Sequence, residues 1–126
     1  MHVELPPWVI VFGRILFVSY FISMGTSHLL YFHTHSAHLA RKHVPLPRAT
    51  TVLTVVTMVG GGVLVLVNWH PLIGYALLFG IILPAPFYLH QFWHETDWYM
   101  RISEFAHLMK DLSLAGAALL LFKATI

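Results

Sequence analysis

ISEFAHLMKDLSLAGAALLLF, residues 102 to 122, combines the length of a membrane span with charged side chains. As a helix it covers about 30 Å, the thickness of a hydrocarbon core. At about 100° per residue, Glu104, His107, Lys110 and Asp111 fall within one arc of about 120°, and other positions such as Leu108, Leu112 and Leu119 lie elsewhere. This stretch therefore predicts an amphipathic helix with one polar stripe.

Charged side chains inside a bilayer are costly unless they face protein. The stripe therefore predicts that the other apolar segments of the chain pack around it. Composition agrees, because 58% of the 126 residues are hydrophobic and only 10% are charged. We predict an all-α protein, an integral membrane four-helix transmembrane bundle that forms a single domain over residues 1–126.

The predicted membrane spans are residues 8–32, 49–67, 72–93 and 102–122. Between the first two spans, residues 33–48 carry four histidines and two helix-breaking prolines. This segment predicts a polar loop, part of it a short interfacial helix. Prolines inside the third span predict a kink, and glycines in the second predict close helix packing. Glu4 and two early prolines argue against a cleaved signal peptide, so the first span is expected to remain.

The orientation follows from basic residues in the loops. The side that carries the loops 33–48 and 94–101 has most of them, at Arg41, Lys42, Arg48 and Arg101. The opposite side carries Lys123. We therefore predict that both loops are cytoplasmic and both termini lie outside.

Several classes of chemistry are excluded by composition. Without cysteine the chain can form no disulfide, thiolate metal site or cysteine nucleophile. Its 7 Lys and Arg are scattered, so no basic face for nucleic acid is predicted. The expected partners are the lipid bilayer and other membrane protein subunits.

Histidines from three spans are predicted to lie in one layer near the loop 33–48. Counted from the helix ends, His28, His90 and His107 lie about 4 to 8 Å deep. With Glu104 they form a candidate cofactor site for a quinone. With His94 added, the same residues form a candidate site for copper, zinc or iron. Alternatively, these histidines cap carbonyl groups, reach toward the interface or are satisfied core residues.

A second candidate cluster is a buried charge network. Arg14 and Lys110 supply two cations, and Glu104 and Asp111 supply two anions, at depths within about one long side chain of each other. Such a network either fixes the packing of the helices or forms a polar, proton-responsive pocket.

The order of features resembles the DoxX family of small four-helix bacterial and archaeal membrane proteins. The residues that carry the resemblance are Arg14, Gly25 to His28, the glycine-rich second span, His90, Phe92, Trp93, His107 and the stretch KDLSLAGAALLL from Lys110. Asp111 stands where the family usually has Asn, and Thr57 stands where it often has Glu.

The resemblance implies a bacterial or archaeal cytoplasmic membrane and an association with membrane redox systems. We therefore expect a subunit or anchor of a quinone-linked oxidoreductase complex rather than an enzyme acting alone. The alternatives are a structural accessory subunit of a larger membrane enzyme with no chemistry of its own, a small metal-binding membrane protein, and a stand-alone transporter of a small solute.

Overall fold

The computed structural model describes residues 3–126 and contains helices but no β-strand in this part of the chain. The helices are α1 (Pro7–Leu30), α2 (Phe32–Arg41), α3 (Pro47–Leu66), α4 (Pro71–Ile82), α5 (Ala85–Leu89) and α6 (Trp98–Thr125), with a 3-10 turn at Phe92–His94 between the last two. The prediction of an all-α fold is confirmed.

Four segments are long and apolar enough to cross a membrane, namely Pro7–Leu30, Pro47–Leu66, Pro71–His94 and Trp98–Thr125. They match the four predicted spans, and the chain is an integral membrane helical bundle. The last helix begins earlier than the predicted residue 102, because the Asp97 carboxylate accepts a hydrogen bond from the Met100 amide at 3.0 Å and caps the helix at Trp98.

The spans pack in the order α1, α3, α4, α6, and α1 touches α6 at only a few points. One apolar core joins all four, and its buried members include Phe21 of α1, Val65 of α3, Leu78 of α4 and Ala118 of α6. Many large apolar side chains remain on the outside, including Leu120 at 75% exposure. In a membrane these outer faces meet lipid.

Glycines bring α3 and α4 together. A Cβ atom added at Gly74 would lie 2.7 Å from the carbonyl oxygen of Gly61, so the two backbones approach too closely for any side chain. Gly62 in the same way makes room for Ile22 of α1, whereas Gly60 faces open space. Two of the three glycines in the second span therefore form the predicted close contacts.

The segment after α1 is mostly helical. Helix α2 ends in a Schellman motif, in which the Val44 amide donates to the Leu39 carbonyl at 3.0 Å and His43 adopts a left-handed φ of 60°. A hydroxyl pair, Ser36 and Thr51, joins α2 to α3 at 2.9 Å. The predicted short interfacial helix thus spans Phe32–Arg41 and lies against the bundle.

The third span is interrupted at its prolines, as predicted. Pro84 and Pro86 have no amide hydrogen to donate, so the helical ladder stops at Ile82 and resumes at Ala85. The backbone of Leu83 and Pro84 remains in the right-handed helical region, so the chain keeps its course until His90, where φ is −120° and ψ is 61°. This second interruption leaves His90 beside α6.

Candidate functional site

A cavity of about 490 Å³ lies in the half of the bundle nearest α2. Its wall includes residues from every helix and from the short segments that flank α2 and α5. Five histidines line it: His28, His35, His38, His90 and His107. Such a concentration of imidazoles in one cavity makes it the candidate functional site.

Four of these histidines form two stacked pairs. His28 of α1 and His35 of α2 have ring centroids 3.7 Å apart and planes at 18°. His90 and His107 have centroids 5.0 Å apart and planes at 23°. Each pair joins two neighbouring elements, so the imidazoles hold α2 on α1 and the end of the third span on α6.

His90 lies between two carboxylates of α6. Its Nδ1 is 3.2 Å from Oε2 of Glu104, and its Nε2 is 3.7 Å from Oδ2 of Asp111. Glu104 and Asp111 are two helical turns apart, so one imidazole between them reaches both. Asp111 lines the cavity, whereas Glu104 contacts His90 from outside the cavity wall.

Lys110 completes the polar side of the cavity. Its Nζ is 3.6 Å from Oδ1 of Asp111 and 3.5 Å from Nδ1 of His107. The same ammonium lies 4.9 Å from the ring centroid of Tyr20 on α1, a cation-π distance. Helix α6 therefore brings an ammonium, a carboxylate and an imidazole to the cavity, and the other elements add further imidazoles.

Much of the remaining cavity wall is apolar. Met24 of α1, Met58 of α3, and Ile81, Ile82 and Leu89 of the third span all line it. A planar ligand with polar groups on its edge would find both hydrogen-bonding groups and hydrocarbon in this cavity. This combination is typical of pockets for small organic ligands.

Burial shifts the pKa of two histidines of α2, His35 and His38. Burial, with smaller contributions from His28 and His38, lowers the pKa of His35 from 6.5 to about 4. Burial, with help from Lys42 and Arg41, also lowers the pKa of His38. His35 and His38 are therefore predominantly neutral near pH 7, and each offers one N–H donor and one acceptor.

Three of the four residues of the predicted cofactor site line the same cavity. His28, His90 and His107 line one cavity, and Glu104 bonds to His90. These four residues do not converge on one point, however, since His28 stacks on His35 while His90 and His107 stack on each other. The histidine layer is therefore two pairs on different walls.

The predicted metal site is not formed. Within residues 3–126 no group of three or more His, Cys, Asp or Glu side chains is placed to hold a metal ion. His94, one of the predicted ligands, lies exposed in the 3-10 turn and outside the cavity wall. The other predicted ligands already contact one another or His35, and they are spread over separate walls.

The predicted charge network must also be corrected, because Arg14 is not part of it. Within residues 3–126 the ion pairs join Glu104, Asp111, Lys110 and His90, and Arg14 makes none. The reason is depth: Tyr20 is the α1 residue that lies against Lys110, and Arg14 is about 9 Å farther along the helix toward its start.

Three residues of the cavity wall are absent from the predicted site, namely Tyr20, His35 and His38, although the histidines of residues 33–48 are expected near the histidine layer. The spacing of His28 and His35 is the signal that was available, because seven residues are two helical turns. Residues 33–48 are predicted mainly as a loop, and helical spacing cannot be applied to the histidines of a loop. His33 and His43, by contrast, stay outside the cavity wall.

Comparison with known proteins adds no further assignment, because no protein-family model, curated protein or solved structure matches this chain.

Proposed function

We propose that this protein is a DoxX-like membrane subunit of a quinone-linked oxidoreductase complex, with the histidine-lined cavity as its quinone site. The observation that carries the proposal is a single cavity that combines several hydrogen-bond donors with apolar side chains. The resemblance to the DoxX family supports the same conclusion.

A quinone headgroup is a flat ring with carbonyl acceptors on its edge. The imidazoles and the Lys110 ammonium are donors suited to those carbonyls. Met24, Met58 and Ile81 are suited to the faces of the ring. The volume of about 490 Å³ falls in the range of ordinary small-molecule pockets.

The sparse contact between α1 and α6 is compatible with a lipid-soluble ligand. Both helices border the cavity, through Tyr20 and Met24 on α1 and through His107 and Lys110 on α6. An isoprenoid tail would leave between these two helices and enter the bilayer. The quinone would accept or donate electrons through a partner subunit, and this chain would bind and orient its ring.

The test begins with purification of the whole chain from its native membranes in mild detergent. Extracted lipids are assayed for quinone, and co-purifying subunits are identified. We expect a quinone together with redox-active partners. Partners without quinone would instead favour the accessory subunit, and the cavity would then have only a structural role.

Variants make the test specific to the cavity. A double substitution, Glu104→Leu with His107→Leu, should lower quinone-dependent electron transfer by about tenfold or more, since it removes a donor and the support of His90. His94→Gln is the matched control, because His94 lies outside the cavity wall. Unchanged electron transfer in the double variant would show that the cavity does not act on a quinone.

A further inference from the structure

The buried carboxylate of Asp111 lacks the hydrogen bonds that such a group needs. The residue is only 4% exposed, and its Oδ1 has no hydrogen-bond partner in the described part of the chain. Oδ2 is 3.7 Å from His90 Nε2, and Oδ1 is 3.6 Å from Lys110 Nζ. Both distances exceed hydrogen-bond range. A carboxylate buried in this way is costly unless another donor reaches it.

The position of Asp111 indicates where that donor comes from. Asp111 lines the cavity together with His90 and Lys110, the two donors nearest to its carboxylate. A ligand in the cavity therefore meets the carboxylate and both donors. Lys110 covers part of Asp111, but its side chain is 42% exposed and has a flexible four-carbon stem. A small polar group can displace it.

The chemistry of the missing partner is that of a hydroxyl group. The oxygens of an oxidised quinone only accept hydrogen bonds, so they can pair with Lys110 or an imidazole but not with a carboxylate. The hydroxyl of a quinol donates to the carboxylate and also accepts from a nearby N–H. Asp111 therefore discriminates between the two redox forms of the same ring.

We propose that the cavity preferentially binds the reduced, hydroxyl-bearing form, a quinol, and that Asp111 accepts the hydrogen bond of its hydroxyl. The proposal rests on the proposed function and adds to it the ligand form and the residue that recognises it. A hydrogen bond to a charged group corresponds to a preference of about tenfold to a hundredfold.

The test is equilibrium binding to the full chain in lipid nanodiscs under anaerobic conditions. Three short-tailed probes share one ring: a benzoquinol, its benzoquinone and its dimethyl ether, which has no hydroxyl. The native chain should bind the benzoquinol at least about tenfold more tightly than the other two. This comparison needs no variant, so it does not depend on the folding of a mutant.

Asp111→Asn then assigns the preference to one residue. The Asn amide can donate to a carbonyl, so the ratio of benzoquinol to benzoquinone affinity should fall by about tenfold or more. Asp97→Asn is the matched control on the same helix, because Asn also caps a helix and Asp97 lies outside the cavity wall. It should leave the ratio unchanged.

The outcomes separate the two proposals. Equal binding of all three probes, or an unchanged ratio in Asp111→Asn, would overturn the quinol preference and leave the quinone site intact. Failure of every probe to bind would overturn the quinone site itself, and the quinol preference with it.

Discussion

The imidazole rings of His28 and His35 stack with their centroids 3.7 Å apart, across the junction between α1 and α2. The two helices are separated by Tyr31 alone, and the stack holds α2 against the end of α1, where α2 lines the cavity. Two imidazoles at this distance cannot both carry charge without strong repulsion. The position of α2 over the cavity therefore depends on the protonation of this pair.

This relationship predicts that the protein loses stability on mild acidification. The pKa of His35 is about 4 in the folded chain, against about 6.5 when unfolded. Between these values the unfolded chain binds the proton and the folded chain does not. The stabilising contribution is therefore complete above about pH 6.5 and is lost as the pH falls toward 4.

The measurement is the thermal unfolding midpoint in detergent at pH 7 and pH 5. The midpoint should be lower at pH 5, and His35→Phe, which keeps a ring in the stack but cannot titrate, should reduce this difference. His94→Gln should keep it, because His94 lies away from the stack. An equal difference in the native chain and in His35→Phe would refute this role of His35.

The packing of α3 on α4 predicts that alanine substitutions at two glycines of α4 have very different effects on stability. Gly74→Ala should destabilise the bundle by about 1–3 kcal/mol, because its new methyl group would collide with the Gly61 carbonyl. Gly80→Ala has nothing within 4 Å of its new Cβ and should be neutral or stabilising by up to about 1 kcal/mol. Unfolding titrations in mixed detergent measure both, and equal effects would contradict the close approach.

The hydrogen bond between α2 and α3 predicts that the hydroxyl group of Ser36 contributes to the stability of the protein. Thr51 donates to the Pro47 carbonyl at 2.9 Å, so Ser36 must be the donor of the bond between the two hydroxyls. Ser36→Ala should therefore destabilise the protein by about 1 kcal/mol. Ser19→Ala is the control, because Ser19 is exposed and bonds only within its own helix. The same detergent titration compares them, and a control as damaging as Ser36→Ala would argue against a specific link.

The orientation in the membrane can be measured directly, because the chain has no cysteine. Single cysteines at the exposed positions Ala40 and Ala124 would lie on opposite sides of the membrane. Ala124→Cys should react with a membrane-impermeant maleimide added to intact cells, and Ala40→Cys should react only after lysis. The reverse pattern would place the loop 33–48 outside.

The spans and their polar stripe could be predicted because they depend on local properties of the sequence. Hydropathy over 18 or more residues identifies a crossing whatever surrounds it. The positions of Glu104, His107, Lys110 and Asp111 on one face follow from helix periodicity alone. The small size of glycine and the missing amide hydrogen of proline are also local properties. The close contact at Gly61 and the interruption at Pro84 were therefore predictable as well.

The composition of the site depended on relations between helices, and these were only partly predictable. Depth counted along each helix correctly grouped His28, His90 and His107, but it also brought Arg14 too close to Lys110. Depth says nothing about how each helix is rotated or which neighbour it packs against.

The sequence by itself determined four membrane helices and the charges they carry. The tertiary structure alone decided that α2 folds back over the bundle, that the histidines pair on separate walls and that Asp111 is buried beside His90, because helix rotation, tilt and neighbour choice are set by packing between distant segments.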